Sequence, residues 1–308
     1  MATVLPACSA APWRDEVRGR LRIATGNTGA VFDRYGRALA QEVARALAGV
    51  RADTTVTAGS IDNIRAVLDG EADVAFSLGD SAVLAVDGQQ PFAGPQQLTA
   101  VARLYDSFLQ VVVPDASDVV DVTDLAGRRV AAGERESGTR LVMGRCLVTA
   151  GVEPGDVALD AVPLAEATSA LVAGEVDALA FVSGFPIPAL VDLGRRIPLR
   201  AVDLGALVPD LVDAYGPEYV VGPLPAGPYG LARGVETVSI KTYMLAAPAL
   251  DAALAHAFTS VIFERQDAIA RVVPDVRQPT AAAGMFTQPV PLHPGSLRWF
   301  RERDAQAG

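Results

Sequence analysis

Cysteine and histidine are scarce in this chain, with two of each in 308 residues. Two cysteines build neither a disulfide framework nor a zinc cage, and two histidines make no His-rich metal site. No metal or other cofactor is therefore expected. No apolar run reaches the roughly 18 residues that a membrane span needs. Basic runs are missing too: Lys+Arg 26 against Asp+Glu 36 leaves a net charge of −10. A surface that acidic repels phosphate backbones, which argues against a nucleic-acid partner. It leaves open a small anionic ligand, because a cleft can be locally positive. What the chain does have is 50 % apolar residues, with 28 Gly and 21 Pro spread along it. That composition describes a globular chain with a real core.

The order of elements reads as α/β. Arg20 to Thr25 alternates as a strand, TGNTGAVFD breaks it, and Arg34 to Leu47 has helical spacing with Tyr35, Leu39, Val43 and Leu47 on one face. Val50 to Thr57 reads as a strand, Ser60 starts a helix as its N-cap, and Asp73 to Ser77 is a buried strand. The pattern then recurs. Strand Arg129 to Ala132 breaks at GERESGT (Gly133 to Thr139), and a helix runs from Arg140 to Ala150. A strand at Val157 to Ala161, a helix at Ala165 to Val172 and a strand at Ala178 to Val182 follow. Gly70-Glu71-Ala72-Asp73 reappears as Gly174-Glu175-Val176-Asp177, at the same place in each half. Two similar lobes with parallel strands and right-handed crossovers are expected.

A strand that ends in a Gly/Ser/Thr turn and opens a helix aims unpaired N–H groups outward, and the helix dipole adds partial positive charge. Two turns fit: Gly26, Asn27, Thr28 and Gly29 in the first half, and Ser137, Gly138 and Thr139 in the second. Each is either an anion site or a glycine that only lets the chain turn sharply. Facing each other at strand ends, they would form a cleft for a small anionic molecule. Ser60 and Asn63, then Ser77, Gly79 and Asp80, then Ser183 and Gly184, fall at the same ends. Ser60 is either a plain cap or a ligand contact. Arg140 either clamps a carboxylate or faces water. Tyr105 and Phe108 line the cleft or pack in the core.

Catalysis has little support. TGNTG is no G-x-G-x-x-G fingerprint, no Gly-Lys-Ser/Thr P-loop follows it, and no G-x-S-x-G elbow occurs. Gly79-Asp80-Ser81 is like the start of a GDS-type esterase motif, but neither His256 nor His293 has the Asp-x-x-His that this chemistry needs. Cys146 reads as a core thiol. A binding protein, not an enzyme, is expected.

Several ordered segments then carry a family. Ile23 to Ala40, Thr57 to Ser77, Ser137 to Arg140, Gly174 to Leu190 and Pro291 to Phe300 resemble the TAXI solute-binding proteins of TRAP-type transporters. The resemblance implies a type II periplasmic-binding-protein fold, with two Rossmann-like α/β lobes closing on a solute. It also implies export, and delivery of a carboxylate-bearing solute such as glutamate or a dicarboxylate to a membrane permease. A sensory receptor for a kinase or regulator is the alternative. Family contacts would fall on the TGNTG turn, Ser60, Asn63, Ser77 to Asp80, Ser137 to Arg140, and Ser183 to Pro186. Phe32-Asp33 stands where the family commonly has an aromatic pair, and Leu78-Gly79 where it often has a polar residue. Asp33 either pairs with a ligand ammonium or is a helix-start carboxylate facing water.

Leu5-Pro6-Ala7-Cys8 followed by Ser9-Ala10-Ala11-Pro12 is like the end of a lipoprotein signal, although the positive and apolar flanks are missing. The resemblance favours Cys8 as a lipid-anchored residue. The expected organisation is a tether at 1–20, lobe 1 at 21–108 plus 225–308, and lobe 2 at 109–224. Hinges are placed near Leu109 to Val113 and Val235 to Tyr243. A monomer is expected.

Overall fold

A computed structural model describes residues 16–153 and 155–307. Cys8 and its tether lie outside the described residues. The elements run β1 (Gly19–Ala24), α1 (Val31–Ala46), β2 (Val50–Thr55), α2 (Ser60–Leu68), β3 (Val74–Leu78), α3 (Gly79–Asp87) and the long β4 (Thr99–Pro114). The second pass gives β5 (Arg129–Ala131), α4 (Gly138–Thr149), β6 (Ala158–Asp160), α5 (Leu164–Ala173) and β7 (Ala178–Ser183). Then come α6 (Pro188–Arg196), β8 (Leu199–Ala201), α7 (Val208–Tyr215), β9 (Tyr219–Leu224) and the second long strand, β10 (Val235–Ala246). The chain closes with α8 (Ala252–Glu264), α9 (Gln266–Val272), α10 (Ala281–Gly284) and α11 (Pro294–Ala307).

Among the described residues the strands form one sheet in the order β2-β1-β3-β10-β4-β7-β5-β6, with β8 on β4 and β9 on β10. Pairing is parallel within each flank, β2-β1-β3 and β7-β5-β6, and antiparallel wherever β4 or β10 takes part. The two long strands therefore join two α/β lobes. β10 pairs with β3 over Thr242 to Ala246 and with β9 over Val235 to Ile240. β4 pairs with β10 from Thr99 to Phe108 and with β7 from Phe108 to Val112. In β4 the change of company thus falls ahead of the Leu109 to Val113 segment read from sequence. That segment ends in three consecutive valines, and it is already buried in the second lobe's core.

The repeat read from sequence has a structural counterpart. Gly70 and Gly174 each leave a helix with φ near +72° and +71°, a conformation that glycine adopts at little cost. Three residues on, the Asp73 carboxylate accepts the Arg22 N–H (2.7 Å), and the Asp177 carboxylate accepts the Arg129 N–H (2.8 Å). In each lobe the aspartate locks the start of one parallel strand to its neighbour.

α1 buries the face that its spacing marks: Tyr35, Leu39, Val43 and Leu47 are all at most 1 % exposed. They pack with Phe76, Phe258 and Trp299, each large side chain contributing about 1.5–3 kcal/mol by burial. The helix begins at Val31, three residues ahead of the expected Arg34, because Asp33 supplies a carboxylate to its first turn. A second core gathers Leu109, Val130, Met143, Cys146 and Val238, and it includes Leu78 from the first lobe.

Candidate functional site

A pocket lies where five strand-to-helix junctions meet between the lobes. Gly26, Asn27, Ala30 and Phe32 enter from the β1–α1 turn, and Ala58, Gly59 and Ser60 from the start of α2. Leu78 ends β3, Ser137, Gly138 and Thr139 open α4, and Phe181, Val182 and Ser183 close β7. The pocket is partly open, and its volume is about 40 Å³.

The lobes are shut over it by direct contacts. The Glu136 carbonyl accepts the N–H groups of Ile61 (3.1 Å) and Asp62 (3.3 Å) at the start of α2. Asn27 bridges the gap twice: its Nδ2 donates to Glu134 Oε2 (2.5 Å), and its Oδ1 accepts the Leu164 N–H (3.2 Å). Arg65 pairs with Glu136 at 3.3 Å across the exposed rim. Gly59, with φ +129°, lets the α2 turn approach the other lobe, and a Cβ there would stand 3.3 Å from the Ser137 Cα.

Hydroxyl groups dominate the polar part of the wall. Ser60 is the first residue of α2, and Gly59 occupies the cap position expected of Ser60. The Ser60 hydroxyl reaches the opposite strand end, where its oxygen accepts the Leu78 N–H at 3.1 Å. Thr139 Oγ1 likewise accepts the Val182 N–H at 3.0 Å. Ser137 caps α4 by accepting the Arg140 N–H, while its own hydroxyl donates to the Glu134 carbonyl. The Leu141 N–H goes to the Ser137 carbonyl. The N–H groups of Gly138 and Thr139 are left at the free end of the helix, where no intrahelical acceptor exists.

Eight of the residues singled out from sequence thus meet at one place: Gly26, Asn27, Phe32, Ser60, Ser137, Gly138, Thr139 and Ser183. The others stand elsewhere. Thr28 and Gly29 are exposed on the outside of their turn. Asp33 is 2 % exposed; it accepts the Gly29 N–H (2.9 Å) and pairs with Arg37 (2.7 Å), so it is engaged within its own helix and does not face water. Asn63 is a buried strut that donates to the Thr25 and Phe76 carbonyls and accepts from Thr57. Ser77 donates to the Leu78 carbonyl. The Arg140 guanidinium donates to the Leu159 carbonyl at 2.9 Å, away from the pocket, and its pKa is lowered by burial. Gly184 lines a different groove, beside Tyr105, Phe108 and Asp275, and Pro186 sits half-buried in the turn that precedes α6.

Gly79 and Asp80 belong to a buried polar network behind the pocket. Tyr219 donates to Asp80 Oδ2 (2.8 Å), and Arg145 donates to the Tyr219 hydroxyl (2.6 Å) while standing 3.6 Å from the same carboxylate. Arg145 also covers the Tyr215 ring at 4.5 Å. Burial pushes the Asp80 carboxyl up, against the opposing pull of Arg145, Tyr219 and Ser81. Gly79 leaves the room that the buried Glu218 carboxylate fills. Cys146 is fully buried, and its thiol is pushed up to about 12 by that burial, so it is no nucleophile.

Sequence reading missed Ala30, Ala58, Gly59, Phe181 and Val182 as parts of the wall, and placed Leu78 there only as a departure from the family pattern. Only Gly59 left a trace, as a glycine directly before a helix start; the rest are core-type residues that the fold exposes at strand ends. Among the described residues no helix is long and apolar enough to cross a membrane, and no three His, Cys, Asp or Glu side chains gather as a metal-binding group.

Two α/β lobes on a pair of shared antiparallel strands, with a pocket at facing helix starts, define the architecture of periplasmic solute-binding proteins. The family model of the NMT1-like family matches residues 23–303, and the chain belongs to that family. Solved structures share the fold. The alkanesulfonate-binding protein SsuA of Xanthomonas axonopodis pv. citri, bound to MOPS, superposes with a TM-score of 0.51 at 17 % identity, covering 92 % of this chain and 84 % of that one. PhnD1 of Prochlorococcus marinus, in complex with methylphosphonate, gives 0.53 at 14 % identity, covering 92 % and 98 %. The ligand-binding component of an ABC-type import system of Staphylococcus aureus, with zinc bound, gives 0.51 at 10 % identity, covering 94 % and 92 %.

Proposed function

We propose that this protein is an extracytoplasmic solute receptor without catalytic activity. It captures a small carboxylate-bearing solute by closing its two lobes and passes it to a membrane permease. The observation that carries this reading is the convergence of hydroxyl and helix-start N–H donors from both lobes on one pocket. Donors of that kind stabilise an anion, and an anion touching both lobes favours the closed state through its differential affinity for it. The relatives in solved structures are binding components that hold a sulfonate, a methylphosphonate or a metal ion, which supports the class of function.

The resemblance to TAXI proteins supports a TRAP-type permease as partner and Cys8 as the site of a lipid anchor. The lobes are taken as 21–108 plus 225–308 and as 109–224; the change of strand partners at Phe108 in β4 supports the first boundary, whereas β10 changes partners between Ile240 and Thr242, and Tyr229, Leu231 and Val235 pack with α5 and α6. Thermal shift with a panel of carboxylates tests the reading. A true solute at about 100 times its dissociation constant raises stability by about 2.7 kcal/mol, and it is recovered unchanged after incubation. Loss of the compound over time identifies an enzyme instead. No shift with any anion removes the receptor reading.

A further inference from the structure

We infer that the solute is a short monocarboxylate with an apolar tail, of about two to five carbons, and not an amino acid or a dicarboxylate; this rests on the receptor reading above. Charge comes first. No residue of the pocket wall carries a charged side chain. Of the charged groups nearby, Arg140 is committed to the Leu159 carbonyl, Glu134 to Asn27, Asp33 to Arg37 and the Gly29 N–H, and Arg65 to Glu136, while Arg135 is exposed and outside the wall. A ligand ammonium would find no carboxylate partner here, and a second carboxylate no cation. Enclosing a charge without partners costs several kcal/mol, which disfavours both.

The donor set accounts for one negative charge. Ser183 is 4 % exposed, lines the pocket, and among the described residues its hydroxyl has no hydrogen-bond partner. The oxygens of Ser60 and Thr139 are each held by a backbone N–H, so each hydroxyl proton is left to donate. With the N–H groups of Gly138 and Thr139 these make a donor-rich cluster, which suits a head group that brings acceptors alone. A carboxylate is that; a neutral amide brings two N–H donors of its own.

Asn27 and Ser137 spend their polar atoms on the protein, and the larger side chains of the remaining wall are apolar: Phe32, stacked on Phe76 at 5.2 Å, with Leu78, Phe181 and Val182. It offers an aliphatic tail a place and a second polar end none. A volume of about 40 Å³ has room for roughly three waters, so the solute is short.

The test is isothermal titration of the purified full chain with propanoate, 2-oxobutanoate, propanamide, succinate, glutamate and methanesulfonate. The expected result is that propanoate or 2-oxobutanoate binds at least about 100-fold more tightly than succinate, glutamate or propanamide, as a partnerless second charge or lost anionic head requires. Ser183→Ala is expected to weaken that binding by about tenfold with an unchanged urea midpoint. Tighter binding of glutamate or succinate overturns the solute class and leaves the receptor standing. Methanesulfonate alone overturns the carboxylate head, and equal binding of propanamide overturns the anion. No binding by any of the six overturns the inference; a wider thermal-shift panel that is also negative then removes the receptor.

Discussion

Gly138 shows how tightly single residues set the closed form. A Cβ at this position would stand 2.5 Å from Leu78 Cδ1 and 2.7 Å from Ser60 Oγ, both across the lobe boundary. Its backbone is otherwise an ordinary first helical residue, where alanine is well tolerated. Gly138→Ala is therefore expected to weaken solute binding tenfold or more, since the lobes cannot shut, while changing stability by less than about 1 kcal/mol. Calorimetric binding and urea unfolding on the same preparation check it; full affinity in the variant would contradict the closure geometry. His293 shows a different single-residue effect. Its Nδ1 accepts the Gly295 N–H (3.2 Å), so Nε2 carries the proton and donates to the Leu250 carbonyl (3.0 Å). Burial lowers its pKa below the usual 6.5. The unfolded chain then takes up a proton that the folded one refuses, so this contribution is complete above pH 6.5 and is lost as pH falls through the folded pKa. Melting temperatures at pH 7 and pH 5 should differ more for the native protein than for His293→Gln.

At the scale of elements, α3, α4 and β9 meet through charge. Asp80 opens α3 in the first lobe, Arg145 sits in the middle of α4 in the second, and the Tyr219 hydroxyl of β9 lies between them. Removing one partner of so buried a pair strands the other. Arg145→Leu is expected to cost about 3 kcal/mol, and Asp80→Asn with Arg145→Leu less than the sum of the two single changes. Urea denaturation of the four proteins measures the coupling, and strict additivity would mean that the pair contributes nothing jointly. This network also marks where the sequence stopped being legible. Helix α1 was readable because Tyr35, Leu39, Val43 and Leu47 repeat at helical spacing, and the lobes because Gly70-Asp73 and Gly174-Asp177 do the same work twice. Polar residues at strand ends were readable as a set: five of them, Asn27, Ser60, Ser137, Thr139 and Ser183, meet at the pocket. Which of them face inward was not, because side-chain direction depends on partners far along the chain. Asn63 turns to Thr25 and Phe76, Asp80 to Tyr219, and Arg140 to Leu159. Of the apolar wall, Phe32 and Leu78 were named through the family pattern, while Phe181 and Val182 are indistinguishable in sequence from core.

At the scale of the molecule, two strands serve both lobes, and the proposed closure turns about β4 and β10 while Leu78 of the first lobe stays packed in the second core. Among the described residues the polar contacts across the pocket include the Asn27 bridge, the Arg65–Glu136 pair and the Glu136 carbonyl. Such contacts contribute about 1 kcal/mol each, a scale on which a solute's binding energy can shift the balance between open and shut. The Glu136 carbonyl has one more consequence. It is the acceptor for the Ile61 and Asp62 amides, and it belongs to the opposite lobe. Whenever the lobes part, both amides are handed to solvent together, although neither helix has unfolded. Their deuterium uptake is thus a clock for opening: the two should exchange in step, faster than Ile64 deeper in the same helix, and slow together as solute is added. The opening that the receptor reading requires then becomes countable, one amide pair at a time.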